Sequence, residues 1–226
     1  MIKEDLINRS PVRFLEQATN GGLKKGEIGI LTSKKGLGKT AVLVQIGLDA
    51  LLQEKQVIHV SFTQHASHVI TWYEDIFSEM SKKKNLAGAD DVKSSLIRKR
   101  VILNFHQDNN AFAHTVNTLK ALCEGGICAS CLIMDGIDFA RVESEDLNVI
   151  KSYAKDMGIV IWASCDCDSE NVKEVLQADV EKEIDAVVYL EQKADNIHMK
   201  AVKVRDEEIH DTKLKLDTKT LLMAEK

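Results

Sequence analysis

The sequence predicts an α/β protein in which helices flank a mainly parallel sheet, with antiparallel strands at the C-terminal edge. Continuous apolar segments of strand length alternate with longer segments of helical periodicity, which is typical of a sheet covered on both faces. A glycine-rich turn separates the first apolar segment from a helical one. Towards the C-terminus, apolar and polar residues alternate in short stretches, which indicates antiparallel strands.

Length and composition fit one globular domain. The chain has 226 residues, of which 44% are hydrophobic and 29% are charged, and its formal net charge is −5. Because it holds a single proline, no proline-rich linker divides it, and we expect 1–226 to form one domain. The acidic balance does not indicate a nucleic-acid partner, although it leaves room for a local basic patch.

The pattern predicts neither export nor membrane insertion. No apolar run approaches the ~20 residues that span a bilayer, and the first residues lack the apolar segment of a signal peptide. Five cysteines, an odd number, fit free thiols in a reduced compartment better than a disulfide framework. We therefore expect a cytoplasmic protein with no membrane partner.

Strands and helices are predicted in alternation along most of the chain. Continuous apolar segments predict buried strands at 28–32, 57–62, 101–104, 127–134 and 159–164. Helical periodicity occupies 39–53, 67–80, 111–124, 143–156 and 171–179.

Three further segments complete the expected organisation. Residues 1–20 form an N-terminal helical segment, and 81–100 form a charged insertion with lysines near its start and basic residues at its end. The antiparallel strands occupy 185–222, with alternating stretches at 186–191, 197–205 and 212–216.

The strongest motif lies where the first strand meets the first long helix. It runs Ser33, Lys34, Lys35, Gly36, Leu37, Gly38, Lys39 and Thr40, and the helix continues with Ala41. Apart from Ser33 in place of the first glycine, it matches the phosphate-binding pattern G-x-x-x-x-G-K-[ST] in a strand–turn–helix context. We expect residues 33–41 to bind the phosphate chain of a nucleotide.

Each residue type in the motif has a chemical reason. Gly36 and Gly38 let the backbone curl so that N–H groups point at phosphate oxygens, and the helix adds its positive N-terminal end. Lys39 would contact the β- and γ-phosphates, and the Thr40 hydroxyl would bind Mg²⁺. The motif therefore predicts a nucleotide with Mg²⁺ as the ligand.

A second acidic element follows an apolar strand. The segment that begins at Cys131 leads into Asp135, whose carboxylate would hold the Mg²⁺ at the carboxyl end of the sheet. An aspartate that only caps a turn is the alternative, because apolar strands are often followed by aspartate.

Together these segments resemble the RecA-like ATPases, closest to the branch of KaiC and the DnaB helicases. The resemblance is carried by Gly21, Gly22 and Gly26 before the first strand, by the phosphate-binding motif, and by the helix after it, and it extends over about 13–222. DnaB-type helicases also often lack the first glycine of the motif. The resemblance implies ATP or ADP as ligand, Mg²⁺ as cofactor, and assembly into a homo-oligomer such as a hexameric or other ring.

One residue that hydrolysis requires departs from the family pattern. The family places a glutamate at the end of the second core strand, and Thr63 occupies that position here. A threonine cannot serve as a carboxylate base, although Gln64 could orient a water molecule as glutamine does in some GTPases. The segment 163–165 also lacks the family's usual polar sensor. Weak or absent hydrolysis follows, unless the alignment is shifted by one residue.

A pair of cations near the C-terminus resembles the K-x-R segment of the same branch. Lys203 and Arg205 would reach the γ-phosphate bound to a neighbouring subunit, and in a strand they would share one face. The alternative is a solvated edge strand whose charges discourage edge pairing.

The preferred hypothesis is an ATP-binding RecA-like protein that assembles with itself, hydrolyses ATP weakly or not at all, and acts as a nucleotide-dependent assembly or adaptor protein. An active ATPase that works on nucleic acid, helicase-like or recombinase-like, is one alternative. Another is a switch like ParA or MinD, in which Lys34 would be the signature lysine. A small-molecule kinase is a weaker option. A protein partner is compatible with each hypothesis.

Overall fold

The computed structural model describes residues 2–83, 89–108, 111–171, 174, 176–205 and 207–225. Its strands are β1 (Ile28–Ser33), β2 (Val57–Ser61), β3 (Arg100–Asn104), β4 (Cys131–Asp135), β5 (Val160–Asp166), β6 (Ala186–Lys193), β7 (Asn196–Val204), β8 (Glu207–Asp217) and β9 (Met223–Glu225). Its helices are α1 (Ile2–Asn8), α2 (Val12–Ala18), α3 (Lys39–Leu52), α4 (Ala66–Lys83), α5 (Ala89–Ile97), α6 (Ala111–Glu124), α7 (Ser144–Met157) and α8 (Ala178–Glu181).

The strands of the described residues form a single sheet in the order β3-β2-β4-β5-β1-β6-β7-β8-β9. From β3 to β6 every neighbouring pair is parallel, and from β6 to β9 every pair is antiparallel. The predicted α/β class, with a mainly parallel sheet and an antiparallel C-terminal extension, is confirmed at this level.

Burial on both faces explains why the parallel strands are continuously apolar. Every residue of β1, β2 and β4 is buried. Successive side chains point to opposite faces, so Val57 packs into one core while Ile58 packs into the other. Helices on each face, α3 with α4 and α6 with α7, pack against one another.

Helix α3 lies at the centre of one core and ties it to the C-terminal end of the chain. Gln45 is buried, and its side chain accepts a hydrogen bond from the amide of Met223 at 2.7 Å and donates one to the carbonyl of Leu221 at 2.9 Å. Gly47 faces the Tyr73 hydroxyl, to which an added Cβ would come within 2.4 Å. The helix therefore needs glycine there to admit that hydroxyl.

The structure corrects the prediction around β4. The strand begins at Cys131 instead of residue 127, because the chain leaves α6 through a turn in which the amide of Ile127 donates to the carbonyl of Leu122. Cys123 and Cys128 flank this turn and form a disulfide, which differs from the expected set of free thiols. Cys131, Cys165 and Cys167 are free.

Other boundaries also differ from the sequence prediction. Within the segment 171–179, Glu174 is helical and a further helix, α8, begins at Ala178, while 172, 173 and 175 lie outside the described residues. The charged segment 81–100 contains the end of α4, all of α5 and the first residue of β3, while 84–88 lie outside the described residues. Strand β9 was not predicted, and β8 is longer than predicted.

In the part of the chain that the structure describes, no helix combines the length and apolar character needed to cross a membrane.

Candidate functional site

The predicted site residues gather where three parallel strands end. Strand β5 lies between β1 and β4, and all three run in the same direction. Their carboxyl ends therefore meet at one edge of the sheet, which is where α/β proteins bind ligands. The phosphate-binding motif follows β1 and Asp135 ends β4.

The loop between β1 and α3 needs its two glycines for backbone reasons. Gly36 has φ +85°, and Gly38, the residue that caps the start of α3, has φ +89°. Only glycine adopts these angles without steric cost. An added Cβ at Gly36 would meet nothing within 4 Å, so the constraint there is the backbone angle and not the available space.

Lys39 folds back over the loop, with a side chain that is 9% exposed. Its ammonium donates to the carbonyl and hydroxyl oxygens of Ser33 at 3.1 and 3.0 Å, and to the carbonyl of Lys34 at 3.1 Å. Ser33 departs from the consensus glycine, and its hydroxyl is one of the groups that hold the lysine in place.

Asp166 is a site residue that the sequence analysis missed. It ends β5 directly beside Ser33, and its Oδ1 lies 2.7 Å from the Lys39 ammonium. The signal for it was present, because an aspartate follows the apolar residues of that strand. Only the sheet order, with β5 next to β1, shows that it reaches Lys39.

Asp135 is buried and held by two hydroxyl groups. Thr40 donates to its Oδ2 at 2.8 Å, and Ser164 donates to its Oδ1 at 2.5 Å. The Ser164 oxygen also accepts a hydrogen bond from the amide of Gly136 at 2.9 Å. Ser164, which the sequence analysis placed where a sensor was expected, therefore orients the carboxylate.

The Thr40 hydroxyl and the Asp135 carboxylate fit a magnesium site. They are hard oxygen donors in direct contact, and Mg²⁺ is usually held by one or two protein oxygens together with waters and substrate phosphates. Among the described residues, no group of three or more His, Cys, Asp or Glu side chains could hold a metal ion by itself.

Gln64, and not Thr63, reaches the other site residues. Its side-chain amide donates to the Thr40 hydroxyl at 3.3 Å. Its backbone is fixed at both ends, since its amide donates to the Ser61 hydroxyl at 3.0 Å and its carbonyl accepts from the Asn104 amide group at 2.7 Å. Thr63 instead lies over Gly136, where an added Cβ would come within 2.4 Å of its hydroxyl.

A buried histidine lies beneath the carboxylate of Asp135. His59 Nε2 is 4.0 Å from Asp135 Oδ2, and Nδ1 lies 3.3 Å from the Tyr73 hydroxyl. Burial lowers the pKa of His59 to about 4, against the opposing effect of Asp135, so the ring is neutral at neutral pH. At 4.0 Å, Nε2 is beyond hydrogen-bond distance of the carboxylate, and this buried nitrogen has no hydrogen-bond partner among the described residues.

The structure corrects the expected arrangement of Lys203 and Arg205 on one strand face. Strand β7 ends at Val204, and Arg205 follows it with φ +52°. Its guanidinium donates to both carboxylate oxygens of Glu27, at 2.9 and 2.8 Å. It also donates to the carbonyls of Thr19 and Gly22, at 3.3 and 3.0 Å. Arg205 therefore fastens the loop after α2 to the core.

These cations lie at the opposite end of β1 from the phosphate-binding loop. Glu27 precedes β1, whereas the loop follows it, and a strand rises ~3.3 Å per residue. The Lys203 ammonium donates to the carbonyl of Glu181, and Lys203 and Arg205 line the same surface cavity. The structure does not bring either cation to the Lys39 and Asp135 of its own chain.

No protein-family model matches the chain, and no curated protein sequence matches it. The fold and the site therefore define the class: an α/β protein with a glycine-containing loop and helix beside a buried carboxylate.

The contact between Glu27 and Arg205 predicts a stability that depends on pH. Burial alone would raise the pKa of Glu27, but hydrogen bonds from Arg205 and the Lys24 amide lower it below its ordinary value of 4.5. The pair therefore stabilises the fold above that value, and its contribution is lost as the pH falls through the lower folded pKa. Glu27→Gln should reduce the free energy of unfolding by about 1–2 kcal/mol at neutral pH and by less at an acidic pH below the folded pKa.

Denaturant unfolding of the wild type and Glu27→Gln at both pH values measures this difference. Glu124→Gln, at an exposed position, is the matched control and should have little effect at either pH. A difference between wild type and Glu27→Gln that stays constant with pH would contradict the assigned role of the ion pair.

Proposed function

We propose that the chain is an ATP-binding protein of the RecA-like class, which binds ATP or ADP with Mg²⁺ at the loop between β1 and α3. The observation that carries the proposal is the contact of the Thr40 hydroxyl with the buried Asp135 carboxylate, next in the chain to Lys39, whose ammonium is held by Ser33. A lysine, a hydroxyl and a carboxylate in this order at the end of parallel strands fit a phosphate chain and its magnesium ion.

Each residue has a separate task in this proposal. The glycine turn directs backbone N–H groups at the phosphates, and Lys39 neutralises their charge. Thr40 and Asp135 hold the magnesium ion, which supplies positive charge to the β- and γ-phosphate oxygens when it is bound. Ser164 donates to Asp135 and fixes the direction of its carboxylate.

Hydrolysis is proposed to be weak or absent. Gln64 contacts Thr40 and is the side chain best placed to orient a water molecule, but a neutral amide cannot accept the proton of that water. Thr63, at the position of the family's glutamate, faces Gly136. With neither residue able to act as a base, the chain would work through nucleotide binding more than through turnover.

The proposed role is a nucleotide-dependent assembly or adaptor function through self-association. The support is the C-terminal part of the sheet. There, β7, β8 and β9 extend the parallel strands, and Lys203 and Arg205 line one surface cavity. For Arg205 to act on a neighbouring subunit, it would have to exchange its bonds with Glu27 for a phosphate oxygen of that neighbour.

Removal of the Lys39 ammonium should weaken ATP binding strongly. Lys39→Ala leaves the phosphate charge without its partner, which costs about 2–5 kcal/mol for a truncated partner of a buried charge pair. Calorimetry with MgATP measures the loss. Lys55→Ala, an exposed lysine just beyond the opposite end of α3, is the control and should bind ATP like the wild type. Equal ATP affinity in all three proteins would refute the proposed site.

A carboxylate introduced at the position of Gln64 should increase the rate of hydrolysis. We expect the wild type to turn over well below the ~10 per second of a typical enzyme. Gln64→Glu adds a base beside Thr40 and should raise turnover at least about tenfold, within the ~10²–10⁴ that a general base supplies. Phosphate release under saturating MgATP measures both. Thr63→Glu places the carboxylate instead at the position where the RecA-like family has its glutamate. A wild type with ordinary turnover would overturn the proposal of weak hydrolysis.

Self-association should depend on ATP and on Arg205. Sedimentation of the wild type with a non-hydrolysable ATP analogue should show a larger species than sedimentation without it, because each bound nucleotide that bridges subunits favours the oligomer by mass action. Arg205→Ala should abolish this increase. It should also reduce the free energy of unfolding, since it removes the bonds to Glu27, Thr19 and Gly22.

Glu27→Gln separates these two effects. This variant weakens the contact between Arg205 and residue 27 but keeps the guanidinium. Nucleotide-dependent assembly should therefore persist if Arg205 acts on a neighbouring nucleotide. If Arg205→Ala and Glu27→Gln impair assembly equally, Arg205 contributes only to the fold. A wild type that remains monomeric with saturating analogue would remove self-association from the proposed function.

A further inference from the structure

We propose that Asp166 is an internal competitor for the phosphate-binding lysine and thereby sets the affinity of the site for phosphate groups. The inference rests on the proposed function in one respect, since it requires Lys39 to receive a phosphate. It goes beyond that function because it assigns to Asp166 a role that opposes binding.

The Lys39 ammonium has fewer protons to donate than it has acceptors around it. An ammonium has three protons to donate. Its acceptors in the structure are two carbonyl oxygens, from Ser33 and Lys34, the Ser33 hydroxyl, and the Asp166 carboxylate, all within 3.1 Å. The acceptors therefore already use the donors of Lys39, and a phosphate oxygen must replace one of them.

The exposure of these groups indicates which acceptor gives way. Ser33 is fully buried, and its carbonyl also accepts a hydrogen bond from the amide of Cys167 at 2.9 Å. The carbonyl of Lys34 belongs to the loop backbone and also accepts a hydrogen bond from the Ser33 hydroxyl at 2.8 Å. The Asp166 side chain is 60% exposed and can rotate away into solvent. Asp166 is therefore the partner that a phosphate displaces.

The position of Asp166 adds a second effect. It ends β5, the strand that lies between β1 and β4, and it is paired with Ser33 at the start of the phosphate-binding loop. A phosphate chain bound there would have one carboxylate on the magnesium ion and another beside its lysine. The negative charges of the Asp166 carboxylate and of the bound phosphates would repel one another. The cost of breaking the contact between Lys39 and Asp166 and the repulsion between Asp166 and the phosphates both weaken binding. Neither effect depends on the base or the sugar of a nucleotide.

The prediction is that removal of the Asp166 charge tightens binding of any ligand with a phosphate chain. Asp166→Asn keeps the size of the side chain, and Asp166→Ala removes its oxygens as well. Both should lower the dissociation constants of MgATP and of inorganic pyrophosphate with Mg²⁺ by about tenfold, which corresponds to ~1.4 kcal/mol. Asp168→Asn is the matched control, because Asp168 is exposed and carries the same charge two residues further along.

Calorimetry on the full chain with both ligands tests the inference, after circular dichroism has shown that the variants fold. Tighter binding by both Asp166 variants, with unchanged binding by Asp168→Asn, supports it. Unchanged or weaker binding by the Asp166 variants overturns it, and so does an equal gain in Asp168→Asn, which would indicate general charge repulsion.

The two ligands distinguish this inference from the proposed function. If pyrophosphate binds more tightly to the Asp166 variants while no protein binds ATP, the competitor role stands and the nucleotide function fails. If ATP binds equally well to the wild type and to the Asp166 variants, the nucleotide function stands and the competitor role fails. If neither ligand binds to any of the proteins, both are overturned.

Discussion

The contact between Thr40 and Asp135 depends on the order of the strands more than on any local motif. Strand β5 separates β1 from β4, and neighbouring strands lie ~4.8 Å apart, so the two residues start from strands ~10 Å apart. The loop after β1 must bend across the end of β5 to close this distance, and Gly38 with its positive φ provides the bend. Because β5 ends beneath that loop, Ser164 and Asp166 are placed at the centre of the site.

The polar groups under the site continue into the core of the protein. Asp135 accepts from Thr40 and Ser164, and His59 lies between Asp135 and the Tyr73 hydroxyl. The ring of Tyr73 in turn lies 4.7 Å from the guanidinium of Arg100. Both oxygens of Asp135 are paired, whereas His59 Nε2 has no hydrogen-bond partner among the described residues, and a buried unpaired polar group is costly. The core helix makes room for Tyr73 with a glycine, which shows that packing here accommodates the polar groups and not the reverse.

The sequence was informative where chemistry is local and uninformative where it depends on neighbouring strands. The glycine turn, Lys39 and Asp135 could be predicted because each is defined by residues beside it in the chain. Asp166 could not, since its role comes from the pairing of β5 with β1. The apolar residues before Cys131 resemble a strand, yet a turn follows α6 because a short apolar run does not define where pairing begins. Likewise, no pattern predicts that Arg205 leaves the strand with a positive φ and binds Glu27.

The two ends of β1 carry different groups, and those at its amino end would link the proposed assembly to the N-terminal segment. At the carboxyl end, the loop carries the exposed side chains of Lys34 and Lys35, and Lys39 is buried against it. At the amino end, Arg205 holds Glu27 and the carbonyls of Thr19 and Gly22, so it fixes the path of the chain between α2 and β1. One guanidinium has five donors, and here four of its contacts are internal. An Arg205 that reached a phosphate on a neighbouring subunit would surrender those contacts and release the loop after α2. Assembly through Arg205 therefore entails a change in the N-terminal segment, whereas an Arg205 that stays with Glu27 leaves both the segment and the neighbouring site unaffected.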